Sequence, residues 1–106
     1  MITCDQFKEI DLRIAKIITA ERVESSDRLL CLRISLGQEE RQIIAGIGTR
    51  YRPEQLLGME IVIVANLEPR KLMGLESQGM LLAADSPAGP VLLVPGQEVP
   101  PGVEIK

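Results

Sequence analysis

Residues 29–48 read LLCLRISLGQEERQIIAGIG. Leu30, Leu32, Ile34 and Leu36 take every second position, with Cys31, Arg33 and Ser35 between them. A period of two marks a strand with one face in a core, because successive side chains on a pleated backbone point to opposite sides. Gly37–Glu40 supplies a hairpin turn, and RQIIAGIG returns as a second strand carrying glycines at 46 and 48. The adjacent acids Glu39 and Glu40 fall in that turn, where a solvated pair explains them better than acid–base chemistry does.

Working upstream, DLRIAKIITAERV (11–23) is β-branched and strand-like, but its alternation slips. Leu12 and Ile14 share a face that Lys16 would continue, leaving Ile17 opposite. A bulge near Ala15 and Lys16 would repair the phase and bend a long first strand, as barrel closure requires. Thr3 followed by Gln6 has the form of a capping box opening a short helix through about Ile10. ESSDR (24–28) breaks the pattern as a loop.

Downstream, YRPEQLLG (51–58) predicts one helical turn, with Pro53 at its first position and Gly58 at its stop. MEIVIVANL (59–67) is a fourth strand, MLLAAD (80–85) a fifth, and GPVLLVPG (89–96) a short addition; PPGVEIK is a stiff extended tail. The order β-β-β-α-β-β predicts an all-β fold: a five-stranded Greek-key barrel of the OB type. One domain would span residues 1–106, with a short N-terminal helix and a short helix between strands three and four. Such barrels bind ligands through strands two and three and through the loops joining strands one to two and four to five. Residues 66–79 are then the four-to-five loop.

The composition narrows the function. A chain of 106 residues has room for one core and no second. It contains no histidine, the commonest general base and metal ligand, so no Ser-His-Asp, Cys-His or zinc constellation can be assembled. We expect no catalytic residues, metal or cofactor. Cys4 and Cys31 lie 27 positions apart, form no CxxC and read as reduced thiols in a cytoplasmic protein. The N-terminus lacks the basic and apolar regions of a secretory signal, and no apolar run is long enough to cross a membrane.

A formal charge of −3 argues against a polyanionic partner, but its distribution does not. From Arg41 to Pro53 there are three arginines and no acid; from Pro69 to Leu75 there are Arg70, Lys71 and no acid. Screening beyond about 8–10 Å makes such local groupings matter more than the sum. With only Phe7 and Tyr51 as aromatics, there is no platform on which to stack a single strand, which leaves recognition of folded RNA by backbone and shape.

The segments DLRIAKI, GQEERQIIAGIG, YRPEQLLG, ANLEPRKLMG and ESQGMLLAA, in this order over residues 11–84, resemble the tRNA-binding domain at the C-terminus of many bacterial methionyl-tRNA synthetases. Related forms are stand-alone structure-specific tRNA-binding proteins and a eukaryotic synthetase-associated cytokine precursor. The resemblance implies a non-catalytic OB-fold module that holds tRNA by shape, works as a homodimer through its terminal segments, and can serve as a detached β subunit of methionyl-tRNA synthetase. Because the chain opens on its own methionine and carries no catalytic domain, association with the synthetase catalytic subunit would be non-covalent. Carried onto this sequence, the tRNA-binding groups are Lys16, Arg41, Asn66, Arg70, Lys71 and Ser77.

Read from the residues alone, Asn66 and Ser77 suit RNA contact or the holding of their own loop equally, and Lys16 suits solvent as well as ligand. The sequence departs from the family where a His-Pro-x-Ala-Asp turn is replaced by residues 23–27, retaining only Asp27. Ala15 stands for a frequent glycine, Ala45 for a frequent serine, and Met73 for a frequent third cation. The related CsaA export chaperones resemble the same dimeric barrel and imply an alternative, the binding of unfolded polypeptide, for which apolar Leu72, Met73 and Leu75 would serve.

Overall fold

The structure is a computed structural model that describes residues 1–106. The hairpin read first is its spine: β2 (Leu30–Ser35) and β3 (Glu40–Ala45) pair antiparallel, with Leu32 opposite Ile43 and Leu30 opposite Ala45. The alternation holds, since Leu30, Leu32 and Ile34 are fully buried while Arg33 faces solvent. Added to them are β1 (Leu12–Arg22), β4 (Glu60–Val64) and β7 (Met80–Leu81), in the order β3-β2-β1-β4-β7. This is the expected five-stranded OB barrel.

Its last gap, between β7 and β3, is bridged in part by side chains. The Ile44 N–H donates to Ser77 Oγ (3.0 Å), the Gln42 N–H to Gln78 Oε1 (3.0 Å), and the Gln78 N–H to the Gln42 carbonyl (2.8 Å). Two side-chain oxygens thus satisfy β3 donors that would otherwise lie unpaired at a sheet edge.

The bulge in β1 lies further along than expected, where the register shifts between Ile17 and Thr19. Ala15 and Ile17 enter the core, Ile18 is turned outward, and Ala20 rejoins the core. No correction is needed at Ala15–Lys16, because Ile14 is buried outside the main cluster, on the stretch of β1 flanked by the C-terminal tail. There the Ile14 N–H donates to the Val103 carbonyl (3.0 Å), Gly102 N–H to the Ile14 carbonyl (2.7 Å) and Ile105 N–H to the Leu12 carbonyl (2.9 Å). The slip in alternation records two coverings of one strand.

Helix α1 (Cys4–Phe7) opens with the expected capping box: the Gln6 N–H donates to Thr3 Oγ1 (3.1 Å) and the Thr3 N–H to Gln6 Oε1 (2.8 Å). Helix α2 (Pro53–Leu56) starts at its proline, buries Leu56 in the core, and is stopped by Gly58 at φ +81°. No helix is long and apolar enough to cross a membrane.

Two expectations need correcting. MLLAAD is not one strand: after β7 the chain breaks at Leu82, and β8 (Ala83–Ser86) pairs with β9 (Gly89–Leu92) in a separate hairpin. Residues 66–79 are not simply a loop, since β5 (Arg70–Leu72) and β6 (Leu75–Ser77) form a two-stranded ribbon. Its turn places Met73 at φ +53° and Gly74 at φ +79°, the positive pair that a two-residue type I′ turn demands. An Asn-Gly or Asp-Gly pair would have announced this turn; Met-Gly does not.

Candidate nucleic-acid interface

Pairing along the ribbon decides where its side chains go. Arg70 stands opposite Ser77 and Leu72 opposite Leu75, so these four share one face; Lys71 and Glu76 share the other. The first face lies on the barrel. Ser77 is 1% exposed, and Leu72 and Leu75 pack on a small cluster of Val23, Leu29 and Ile44 outside the main core. These apolar contacts hold the ribbon across the outer side of the β2–β3 hairpin. Of the three apolar loop residues, Leu72 and Leu75 therefore fold back, and only Met73 projects, 59% exposed.

The alternation also separates the two adjacent cations. Lys71 is directed to the ribbon's outer side, whereas Arg70 borders a groove of about 550 Å³ between the ribbon and the loop joining β1 to β2. Both are exposed, and neither has an ion pair within 4.0 Å.

On the far side of this groove is Arg28, which the sequence reading missed. Its backbone is fixed twice: the Arg28 N–H donates to Ser26 Oγ (3.3 Å), and its carbonyl accepts from Gly48 N–H (2.7 Å). Ser26 Oγ also accepts from Leu29 N–H (3.0 Å), so one hydroxyl organises the turn. The Arg28 guanidinium lies over Gly46, in space that a Cβ there would occupy. Arg28 follows Asp27, and a neighbouring acid makes a cation look neutralised in a sequence; in the structure Arg28 has no ion pair.

The remaining expected residues are dispersed. Lys16 is exposed and stands opposite Ser35 on the outer face of the sheet, where Arg33, also overlooked, sits opposite Thr19 and pairs with Glu40 (3.1 Å). Arg41 has the inward parity of Ile43 and Ala45, so it closes one end of the barrel instead of joining the ribbon. Its guanidinium donates to the Ala65 carbonyl (2.5 Å) and to Glu39 (3.1 Å). That hydrogen bond and the arginine's charge hold the Glu39 carboxyl below its usual range.

Asn66 is committed to backbone, accepting from Asp11 N–H (2.9 Å) and donating to the Glu9 carbonyl (2.7 Å). Ser77 accepts from Ile44 and donates to the Gly79 carbonyl (3.0 Å). Cys31, behind the ribbon, has its thiol pushed up by burial and by the nearby Glu21 carboxylate. Arg28 and Arg70 thus border one groove and Lys71 stands on the ribbon's other face; Lys16 lies on the sheet face, Arg41 at the barrel end, and Asn66 and Ser77 bond the framework.

A nearly closed β-barrel with a ribbon bearing Arg70 and Lys71 laid across strands two and three defines a small OB-fold module. A family model described as "Putative tRNA binding domain" matches residues 12–104, and the chain belongs to that family. The methionine–tRNA ligase of Thermotoga maritima is 57% identical over 104 residues, covering 98% of this chain but 16% of the ligase, so the chain spans about one sixth of that relative's length. Among solved structures, a MetRS-related protein from Pyrococcus horikoshii superposes with a TM-score of 0.94 at 34% identity, over 100% of this chain and 98% of that one. The chaperone CsaA from Bacillus anthracis superposes with a TM-score of 0.92, also at 34% identity, over 100% and 99%.

Proposed function

We propose that this domain binds folded tRNA without catalysis, holding phosphate and ribose over the groove, the ribbon and the outer face of the sheet. The observation that carries this reading is the set Arg28, Arg70 and Lys71: three exposed cations without ion pairs around one edge of a molecule whose net charge is −3. Each phosphate they meet releases condensed counterions, and the arginine fork grips phosphate through two parallel hydrogen bonds. Lys16 extends the positive surface along the sheet. Arg41 acts from the barrel end, and Asn66 and Ser77 hold the backbone that presents the cations.

The domain serves a methionyl-tRNA synthetase, as a β-subunit-like or stand-alone module, by keeping tRNA at high effective concentration. It works in the cytoplasm. It also works as a homodimer: Ile2, Phe7 and Ile10 are exposed beside the C-terminal tail, along a groove of about 1000 Å³ that a second copy would cover.

Filter binding of bulk tRNA across a salt series tests the reading. Affinity should fall steeply with salt, and Arg70→Ala with Lys71→Ala should flatten the log–log slope by about one to two units. Binding that is absent, or insensitive to salt, overturns it. The exposed Met73 and Met80 favour a second reading, capture of unfolded polypeptide as the CsaA name suggests. That reading predicts suppressed aggregation of an unfolded client, dependent on Met73 and independent of Arg70.

A further inference from the structure

The groove beside Arg70 has a composition that phosphate binding alone does not explain. Its floor is apolar, made by Leu29, Ile44 and Leu72, and its rim carries the exposed methionines Met73 and Met80. Arg28 and Arg70 are its only charged groups; none of the ten lining residues is an acid. A volume of about 550 Å³ falls within the span of pockets that hold small ligands, roughly 300–1,000 Å³. A purely electrostatic seat would not need an apolar floor, and a neutral peptide would leave two guanidinium groups without partners.

Met73 adds an independent observation. It occupies the left-handed region at φ +53°, which a side chain of this kind rarely adopts, at a turn where asparagine or glycine fits with less strain. It is 59% exposed there, so folding gains little from its side chain. Strain of this kind, held at an exposed tip, points toward a role in ligand contact.

We infer that this groove receives one unstacked nucleotide of the bound RNA. Its base lies on the apolar floor under the thioethers of Met73 and Met80, and its flanking phosphates lie between Arg28 and Arg70. A flat, largely apolar ring joined to an anion matches both halves of the groove, and splayed-out bases in folded RNA supply such a group. Thioether sulfur packs well against aromatic rings, so methionine can do here what aromatic side chains do in barrels that stack single strands. The inference rests on the RNA-binding reading and adds to it a base contact made by residues outside the cationic set.

The test uses the whole chain, labelled at its methionine methyl groups, with bulk tRNA. Ring-current shifts should move the Met73 and Met80 methyl signals upfield and leave Met59 in place. Met73→Asn and, separately, Met80→Ala should each weaken tRNA binding by about two- to tenfold, with an unchanged salt slope. Arg28→Ala should instead lower the slope by about one unit. If tRNA binds with a steep salt slope while both methyl signals stay put and Met73→Asn binds as tightly as the parent, the base contact is overturned and the RNA reading stands. If tRNA does not bind and an unfolded apolar peptide shifts the same two methyl signals, both are overturned.

Discussion

Ser77 and Asn66 look like ligand groups in a motif and act as joinery in the fold. Ser77 Oγ completes the hydrogen bonding of Ile44 at the seam where β3 would otherwise meet no strand. Its removal strands a buried N–H, so Ser77→Ala should lower stability by about 1–3 kcal/mol in chemical denaturation. Its effect on tRNA affinity should follow only from the displaced ribbon. Glu39 is the other informative residue. Its carboxyl is held low by the Arg41 hydrogen bond, so the charged form is favoured in the folded state. The stabilisation is fully present above the ordinary carboxylate range and is lost as pH falls through the lowered value. Glu39→Gln should therefore reduce the denaturant midpoint at neutral pH, and the gap to the parent should close in strong acid. Glu39 is exposed, so the gap will be small. A sequence shows which polar residues a motif contains; it does not show which backbone groups they already hold, as Asn66 holds Asp11 and Glu9 and Ser77 holds Ile44 and Gly79.

At the scale of elements, the β2–β3 hairpin, both caps, α2 and the bent first strand were legible because each depends on local rules: a period of two, a capping box, proline first and glycine last. The ribbon was not. Its strands are three residues each, too short for alternation to register, and its turn carries methionine where the rules ask for asparagine. That mismatch makes a prediction. Met73→Asn should relieve left-handed strain and raise stability by about 0.5–1 kcal/mol, read as a shift in the denaturant midpoint at constant slope. The position of the bulge was likewise hidden, since Ile14 looks like a core residue from its neighbours and is covered by a tail some 90 positions away in sequence.

Across the whole molecule, the cations were legible as acid-free windows, but the windows did not coincide with the surface. Arg41 stands apart from the ribbon because of its inward parity on β3, while Arg28 borders the same groove as Arg70 because the fold carries the first loop over to the ribbon. Three-dimensional neighbours separated by some forty residues cannot be read from spacing. The proposed dimer belongs to this scale too. Phe7 is 42% exposed with Ile2 and Ile10 beside it, an apolar strip along the groove between α1 and the tail. Sedimentation equilibrium should give twice the 11.7 kDa chain mass for the parent and the single-chain mass for Phe7→Glu, with circular dichroism unchanged.

The tail that runs beside Leu12–Ile14 also brings Lys106 to the groove that Ile2 lines, so the two ends of the chain border one groove. Such closeness makes circular permutation feasible. A short glycine-rich bridge could join the ends into a ring, which could be reopened at the exposed Gly96, outside the ribbon and the groove beside it. The permuted barrel would keep its grip on RNA while its new ends emerged from a different flank.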